Sequence, residues 1–490
     1  MGTPQLHSPV EYESILETGQ WNDKQQYTKS TIHSVLSWCL DVIRPAIFTR
    51  SGPKKQLGRT AYLDGLRGFA AFLVYWHHHQ LWARTEIFAD QIFENAYGYD
   101  NRFYFACLPV VRTFFTGGHL AVSVFFLISG YVLSAKPLAL IYSGEFVKLG
   151  DNLASAFFRR WIRLHLPLLG TSFFYMTSWH VFGIWTISPE QKINYSGELW
   201  NWYTEFKNFT FVFRTGGDSW FTYNYHSWSI PIEFRGSIII YTTLLAFSRC
   251  TRDMRLLGQA ALIFYFMYIA DGWFGAMFVA GMLLCELDLL SRNNNLPNFL
   301  TMPSLAPYKK LINYGVLLVG LILGGVPSHG RDEEVLRGSP GWHYLSKLKP
   351  QAVFDYKWFY LFWAAICVMV ASPRIPLLKR FFETRFCQYL GQISFALYLM
   401  HGPVLWTLGD RLYAATGWYK QEHTVHTPAW VNIFPLSKGG PMGLELSFLL
   451  PHLILLPFTL WLAEVVTKVF DKPSVTFSQW AYRKTLAPST

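Results

Sequence analysis

Long apolar stretches recur along most of this chain, and shorter polar segments separate them. Ten of the stretches are about long enough to cross the hydrocarbon core of a bilayer as α-helices. Several contain Gly, Pro or polar residues, which a spanning helix tolerates where it faces protein instead of lipid. The pattern therefore predicts an all-α, polytopic membrane protein with about ten transmembrane helices. The ten predicted spans are residues 63–83, 117–135, 164–186, 228–248, 255–270, 272–290, 311–327, 354–372, 387–408 and 443–468.

The segment before the first predicted span is mainly polar and has no short apolar core of the kind found in cleavable signal peptides. From Thr31 to Phe48 apolar residues recur at helical spacing, which indicates an amphipathic helix lying on the membrane surface. We therefore divide the chain into a cytosolic N-terminal segment, 1–62, a transmembrane domain, 63–470, and a cytosolic tail, 471–490.

Composition favours the same class of protein. Hydrophobic residues make up 51% of the chain and charged residues only 15%, whereas soluble proteins carry about 25% charged residues. The 20 Trp and 27 Tyr residues suit the aromatic belts at the two lipid–water boundaries. The net charge of +11 comes mostly from the segments between apolar stretches, so we expect no nucleic-acid partner. The 6 cysteines are scattered and fit neither a disulfide framework nor a zinc site.

The Lys and Arg distribution predicts the orientation of the chain. With a cytosolic N-terminus, 26 of the 42 basic residues fall on the cytosolic side, as the positive-inside bias requires, and both termini are cytosolic. The N-glycosylation triplets Asn194-Tyr195-Ser196 and Asn208-Phe209-Thr210 both lie in the loop 187–227, which this orientation places outside the cytosol.

The first predicted span carries unusual polar residues, namely Asp64, Arg67 and the triplet His77-His78-His79. Each such group costs about 2.5–3.5 kcal/mol at the centre of a membrane helix, so a functional role is expected. On a helix, Arg67 and His78 lie about 20° apart in angle and about 16 Å apart along the axis. They can therefore hold two ends of one long ligand. The three consecutive His point in different directions, so we expect no metal site there.

Five short motifs occur in order along the chain. The first, Leu63-Asp64-Gly65-Leu66-Arg67-Gly68 followed by His78, resembles the opening of acyltransferase family 3, whose members have an Arg, ten residues and a His. The other four motifs are Phe125-Phe126-Leu127-Ile128-Ser129-Gly130-Tyr131, Arg160-Trp161-Ile162-Arg163, Trp228-Ser229-Ile230-Pro231-Ile232-Glu233 and Leu390-Gly391-Gln392-Ile393-Ser394-Phe395-Ala396-Leu397-Tyr398-Leu399-Met400-His401. Each motif is weak by itself, but the ordered set is specific and covers about residues 60–470.

The resemblance implies a membrane O-acyltransferase of the single-domain, fungal type. Such an enzyme moves an acyl group, usually acetyl, from acyl-CoA to a hydroxyl of a carbohydrate, a lipid or a small metabolite. It implies acyl-CoA as a co-substrate and no tightly bound cofactor. The compartment is the endoplasmic reticulum, another endomembrane or the plasma membrane.

The chemistry of such a transfer assigns roles to the polar residues. An attacking alcohol must lose its proton, and a neutral imidazole is a suitable general base, so His78 is the candidate. Glu233 is expected to orient His78 and stabilise its imidazolium, as the third member of a triad does. The alternative role of Glu233 is a salt bridge to Arg235 or to another buried base, and Arg235 is the poorer partner because residues two apart on a helix do not face each other.

The remaining candidates bind substrate. Arg67, Arg160 and Arg163 are expected to bind the phosphates of the donor, because Arg grips phosphate with two hydrogen bonds. The alternative explanation for these three arginines is the positive-inside bias, which places Arg at the cytosolic face whether or not a ligand binds there. Tyr398 and His401, three residues apart, are expected to position the acceptor or to donate a hydrogen bond to the oxyanion.

Three further interpretations complete the sequence-based hypothesis. Trp228, in the fourth motif, is counted with the substrate-binding residues. Ser129 beside Gly130 indicates close helix packing and not a nucleophile. The rival function is a proton-coupled secondary transporter, since buried His, Glu and Arg among interrupted spans also suit transport. No internal repeat of the transporter type is apparent in the sequence.

Overall fold

The structure, a computed structural model, describes residues 31–46, 57–84, 98–99, 102–187, 189–213, 220–297, 307–328 and 332–487. Helices dominate these residues, in which the strands are one antiparallel pair, Gly98–Tyr99 and Arg102–Phe103. The predicted all-α class is confirmed. The longer helices are α1 Thr31–Ile43, α2 Ala61–Ala83, α3 Gly118–Tyr142, α4 Phe146–Phe182, α5 Tyr195–Phe209, α6 Ser229–Ala246, α7 Arg252–Tyr268, α8 Trp273–Arg292, α9 Lys309–Gly324, α10 Lys357–Ala371, α11 Arg385–Val404, α12 His452–Val466 and α13 Lys472–Thr485.

Shorter helical segments connect these helices. Two are π-helical stretches that continue a helix without a break, at Leu405–Gly409 after α11 and at Thr467–Asp471 between α12 and α13. The others are Phe105–Cys107, Arg112–Phe115, Thr222–Trp228, Glu333–Gly338, His343–Ser346, Pro376–Phe382, Asp410–Ala415, Gln421–His426, Pro428–Trp430 and Leu446–Leu449.

Each of the ten predicted spans overlaps one of the longer helices, α2 to α4 or α6 to α12. By length and apolar composition, three helical stretches in the described residues could each cross a membrane, namely α3, α8 and Leu446–Thr485. A fourth qualifies if α10 and Pro376–Phe382, which meet at 96°, form one span. Helix α2 is not among these candidate spans, and its Asp, Arg and His residues lower its mean hydropathy. The apolar helices fit a membrane protein, and the number of ten spans stays a prediction.

Helices α2 and α11 cross with their backbones in close contact. A Cβ atom at Gly68 would lie 2.2 Å from the backbone nitrogen of Gly391, and a Cβ at Gly391 would lie 2.4 Å from the carbonyl oxygen of Asp64. No side chain fits at either position, so glycine is required for this approach. The crossing places the side chains of one face of α2 directly on α11.

Helices α3 and α8 are joined in the same way. A Cβ at Gly130 would lie 2.0 Å from the carbonyl oxygen of Phe278, and a Cβ at Gly281 would lie 2.1 Å from that of Leu127. The prediction that the small residues around Gly130 permit close helix packing is confirmed.

Helix α4 is longer than the predicted span 164–186. It begins at Phe146 and runs for 37 residues, so Arg160 and Arg163 lie on the same continuous helix as the apolar segment. The helix ends at Gly183, whose φ of 62° is in the left-handed region that favours glycine.

The N-terminal helix α1 covers part of the predicted amphipathic stretch and is attached to the end of α12. Trp461 donates its indole N–H to the carbonyl oxygen of Ile43 at 2.8 Å. The ammonium group of Lys468 donates to the carbonyl oxygens of Asp41, Val42 and Arg44. These bonds satisfy carbonyls that a helix C-terminus leaves unpaired. Residues 47–56 lie outside the described residues, and the location of α1 on a membrane surface stays a prediction.

Candidate active site

Arg67 extends from α2 onto α11. Its Nε donates to Ser394 Oγ at 3.1 Å, and its Nη2 donates to the carbonyl oxygen of Gly391 at 2.8 Å. Asp64, one helical turn earlier, lies 3.2 Å from the same Nη2. The Arg67 side chain is 11% exposed, so the charge is largely enclosed by protein. The close glycine crossing allows the guanidinium to reach the backbone of α11.

His78, eleven residues further along α2, also contacts α11. Its ring lies 5.1 Å from the ring of His401, with the planes inclined by 22°. Arg67 and His78 therefore face one helix, as their angular spacing on α2 predicts. Along α11 the contacts advance from Gly391 to His401, in the same direction as from Arg67 to His78, so the two helices run parallel here.

A third histidine, His226, contacts both of the others, and the three ring centroids form a triangle. Its ring stacks on His78 at 3.6 Å between centroids and on His401 at 4.6 Å, with the latter planes only 8° apart. Sequence reasoning missed His226, which belongs to the short 3-10 segment Thr222–Trp228 inside a region read as a loop. The signal available was its position directly before the motif that begins at Trp228.

Hydrogen bonds to α11 position the segment that carries His226. Asn224 Nδ2 donates to the carbonyl oxygen of Leu399 at 2.9 Å. The hydroxyl of Tyr398 donates to the carbonyl oxygen of His226 and lies 2.7 Å from Ser229 Oγ. A Cβ at Gly402 would lie 2.8 Å from His226 Nδ1, so the absent side chain leaves room for the ring. Helix α11 therefore supplies both one histidine and the anchor for another.

The three-ring cluster of His78, His226 and His401 brings three ring nitrogens together. One ring nitrogen from each lies within 4.8 Å of the others, a spacing at which the three residues could hold a metal ion. The ring planes are inclined to one another by 8° to 22°. The cluster places three imidazoles at one end of the α2–α11 contact.

Glu233 lies on α6 and pairs with Arg160 of α4. Arg160 Nη2 donates to Glu233 Oε1 at 2.5 Å, and Arg160 Nε donates to Ser237 Oγ at 2.8 Å. Ser129 on α3 donates to the same carboxylate oxygen. Of the two arrangements left open by the sequence, the structure has the salt bridge to another buried base. Among the described contacts none joins Glu233 to His78, so the predicted orienting role has no geometric support.

The three predicted phosphate-binding arginines each have an acidic neighbour. Arg67 lies beside Asp64 and Arg160 beside Glu233, and Arg163 interacts electrostatically with Asp471 at the end of the stretch that follows α12. Asp471 also interacts electrostatically with Arg67. The arginines of α2 and α4 are thus brought near one another, but their charges are already partly balanced by carboxylates.

The two other predicted substrate-binding aromatics have different surroundings. Tyr398 shares a face of α11 with His401, and their rings are 5.8 Å apart. Trp228, two residues after His226, packs 5.9 Å from Trp358, whose indole stacks on Trp273 at 3.9 Å. The three indoles form one aromatic group.

The neighbours of His78 on α2 point elsewhere, as consecutive helix positions must. His79 Nδ1 hydrogen-bonds with the hydroxyl of Tyr413 at 2.7 Å, and that hydroxyl also lies 3.1 Å from His452 Nε2. Burial raises the pKa of Tyr413, so its hydroxyl stays protonated and links the two imidazoles. His77 faces His119 at 5.3 Å. Each of the three consecutive histidines therefore has its own set of partners.

An apolar cavity of about 510 Å³ lies on the other side of α2. Leu66, Phe69, Ala70 and Leu73 line it from α2. At 100° per residue these positions are about 120°, 180°, 80° and 140° from His78 around the helix. The cavity is therefore centred away from the face that carries Arg67 and His78, and Ala70 lies at its border with that face.

Comparisons with known proteins agree with the ordered motifs. A family profile described as an acyltransferase domain matches residues 60–463. The chain is 29% identical over 483 residues to the O-acetyltransferase PaAT-1 of Phomopsis amygdali, covering 91% of this chain and 89% of that protein. No solved structure matches significantly.

Two more distant relatives carry the name acyltransferase. Acyltransferase R4 of Phoma sp. is 23% identical over 72% of this chain and 84% of its own length. Acyltransferase clz18 of Cochliobolus lunatus is 23% identical over 84% of this chain and 95% of its own length.

Proposed function

The chain belongs to acyltransferase family 3, and on this premise we propose that it is a membrane-embedded O-acyltransferase that moves an acyl group from acyl-CoA to a hydroxyl acceptor. The names of the relatives support O-acyl transfer, and PaAT-1 favours acetyl as the group moved. The single observation that carries the proposal is the placement of Arg67 and His78 against the same helix, α11.

In this proposal His78 is the general base. The hydroxyl proton of the acceptor moves to a ring nitrogen of His78 while the oxygen attacks the thioester carbonyl carbon. The resulting tetrahedral intermediate collapses, the carbon–sulfur bond breaks, and the thiolate of CoA takes the proton back from His78. Acyl ester and CoA thiol are the products, and no net proton is released. General base catalysis of this kind contributes typically about 10²–10⁴-fold.

The donor approaches along the other end of the α2–α11 contact. Arg67 is separated from His78 by about 16 Å along α2, so the nucleotide phosphates and the thioester of one extended acyl-CoA can reach both residues. Arg163 adds a second cation near Asp471. Because Arg67 and Arg160 already have carboxylates beside them, phosphate binding to these two residues requires rearrangement of the pairs. No tightly bound cofactor is part of the proposal.

The acceptor lies next to the three-ring cluster. In this proposal Tyr398 and His401, on α11, face the acceptor, and Trp228, in the same short segment as His226, supplies an apolar ring beside it. A carbohydrate, a lipid or a small metabolite with a free hydroxyl fits this chemistry. Enclosure by aromatic rings also limits hydrolysis of the thioester by water.

The proposed topology has ten spans and cytosolic termini, with the donor arriving from the cytosol. Asn194 and Asn208 stand at exposed positions near the two ends of α5, on the opposite side in this topology. We place the protein in the endoplasmic reticulum, another endomembrane or the plasma membrane.

The test is release of free thiol by the purified protein from acetyl-CoA in the presence of a hydroxyl acceptor. His78→Ala should lower the rate by about 10²–10⁴-fold. His343→Ala, which removes an exposed histidine far from α2 and α11 in the chain, is the matched control and should leave it unchanged. A wild-type rate in His78→Ala would contradict the assignment of the base. Acceptor movement across a sealed vesicle without thiol release would instead favour the rival transporter.

A further inference from the structure

The tautomer of His401 follows from one hydrogen bond. His401 Nδ1 lies 3.3 Å from the carbonyl oxygen of Leu397, one turn earlier on α11. A carbonyl oxygen can only accept, so Nδ1 must carry the hydrogen. In the neutral ring the lone pair is then on Nε2. His401 therefore presents an acceptor, and not a donor, on the side away from its own helix.

This acceptor is buried without a hydrogen-bond partner in the described part of the chain. His401 is 1% exposed, and its Nε2 is one of two such nitrogens in the three-ring cluster; the other is Nδ1 of His226. The nearest hydroxyl on the same helix, that of Tyr398, donates its hydrogen to the carbonyl oxygen of His226. A buried acceptor that lacks a donor is costly, so the cluster is suited to a ligand that brings donors.

One hydroxyl cannot satisfy the whole cluster. In the proposed reaction the proton of the reacting hydroxyl points at His78. One ring nitrogen from each of the three histidines lies within 4.8 Å of the others. A second hydroxyl on the neighbouring carbon of the acceptor lies close enough to the first to donate to another of these nitrogens through an O–H hydrogen bond of about 2.8 Å.

We propose that His401 is a specificity-determining residue, whose Nε2 accepts a hydrogen bond from a second hydroxyl adjacent to the one that is acylated. The acceptor class is therefore a compound with neighbouring hydroxyl groups. This inference rests on the proposed function, and of the two roles expected for His401 from the sequence it favours positioning of the acceptor over donation to the oxyanion. Sites that hydrogen-bond a substrate hydroxyl discriminate strongly against analogues that lack it, because the buried acceptor is left unpaired.

The experiment uses three acceptors with one carbon skeleton: cis-cyclohexane-1,2-diol, its mono-methyl ether and cyclohexanol. For the wild-type protein with acetyl-CoA, kcat/KM for the diol should exceed that for the ether and for cyclohexanol by about 10-fold or more. His401→Phe keeps an aromatic ring in the stack but removes the acceptor. In this variant the ratio of kcat/KM for the diol to kcat/KM for cyclohexanol should fall to about one. Equal kcat/KM for the three compounds in the wild type, or equal loss for all of them in His401→Phe, would overturn the proposal.

A binding measurement separates this inference from the proposed function. Thermal unfolding of the protein in detergent, without acetyl-CoA, should show greater stabilisation by the diol than by the ether in the wild type and no difference in His401→Phe. This result would support the hydroxyl pocket even if no thiol were released, in which case only the transferase proposal fails. No difference between diol and ether in the wild type would overturn the pocket whatever the activity.

Discussion

Arg160 and Glu233 form an ion pair between α4 and α6, with 2.5 Å between Nη2 and Oε1 and with both side chains no more than 15% exposed. Ser129 on α3 donates to the same carboxylate oxygen, so three helices meet at one buried charge pair. The pair joins two of the sequence motifs, which lie far apart along the chain. It also gives Glu233 a role that does not involve His78.

Glu233→Ala should therefore destabilise the protein more than it affects chemistry. Removing one partner of a buried pair leaves an uncompensated charge and costs about 3–5 kcal/mol. Thermal unfolding in detergent measures the loss. The double variant Arg160→Met with Glu233→Ala should recover much of it, because no buried charge remains. A Glu233→Ala protein with wild-type stability and a large loss of kcat would instead support the catalytic role expected from the sequence.

Arg67→Gln tests the binding of the donor phosphates. If Arg67 contacts the nucleotide end of acyl-CoA, the variant should raise KM for acetyl-CoA by about 10-fold or more, because a charge-assisted contact is lost. S-Acetylpantetheine, which lacks the phosphates, should show no added penalty relative to the wild type. Steady-state kinetics with both donors distinguishes these outcomes. Equal effects on the two donors would assign Arg67 to the packing of α2 on α11, where it also bonds Ser394 and Gly391.

Gly402→Ala tests whether the position of His226 matters for activity. The added Cβ would lie 2.8 Å from His226 Nδ1 and 2.9 Å from the ring of Trp406, so both side chains must move. We expect kcat to fall by about 10-fold or more, since small displacements of catalytic groups are costly. The unfolding temperature should change little, because Ala is about 1 kcal/mol better than Gly inside a helix. Gly315→Ala on α9, with open space around it, is the control.

Glycosylation tests the predicted orientation. Asn194 Oδ1 accepts a hydrogen bond from the backbone N–H of Gly197 at 2.7 Å, and both Asn194 and Asn208 are exposed. Expressed in a eukaryotic cell, the protein should lose apparent mass on treatment with an N-glycosidase. Asn194→Gln and Asn208→Gln should each reduce the loss of apparent mass by one glycan. The double variant should show no loss of apparent mass on treatment. N-glycosylation at an asparagine engineered into the N-terminal segment, and not at Asn194 or Asn208, would contradict the predicted topology and indicate the opposite orientation.

Helix positions and helix faces were predictable from the sequence because they depend on local periodicity. Apolar stretches marked ten of the longer helices, and a spacing of eleven residues on α2 placed Arg67 and His78 on one face. Helix α5 was missed, since its many polar residues give no apolar stretch. The small residues at Ser129 and Gly130 indicated close packing, which the crossing at Gly130 confirms, whereas the crossing at Gly68 was not predicted.

The partners of each polar residue were decided by tertiary structure alone. Glu233 pairs with Arg160, 73 positions away, and His226 joins His78 only because α11 anchors the segment Thr222–Trp228. No periodicity in the chain encodes such contacts, because they depend on how separate helices pack. The sequence determined which side chains are available on each helix, and the packing of α2, α4, α6 and α11 decided which of them meet.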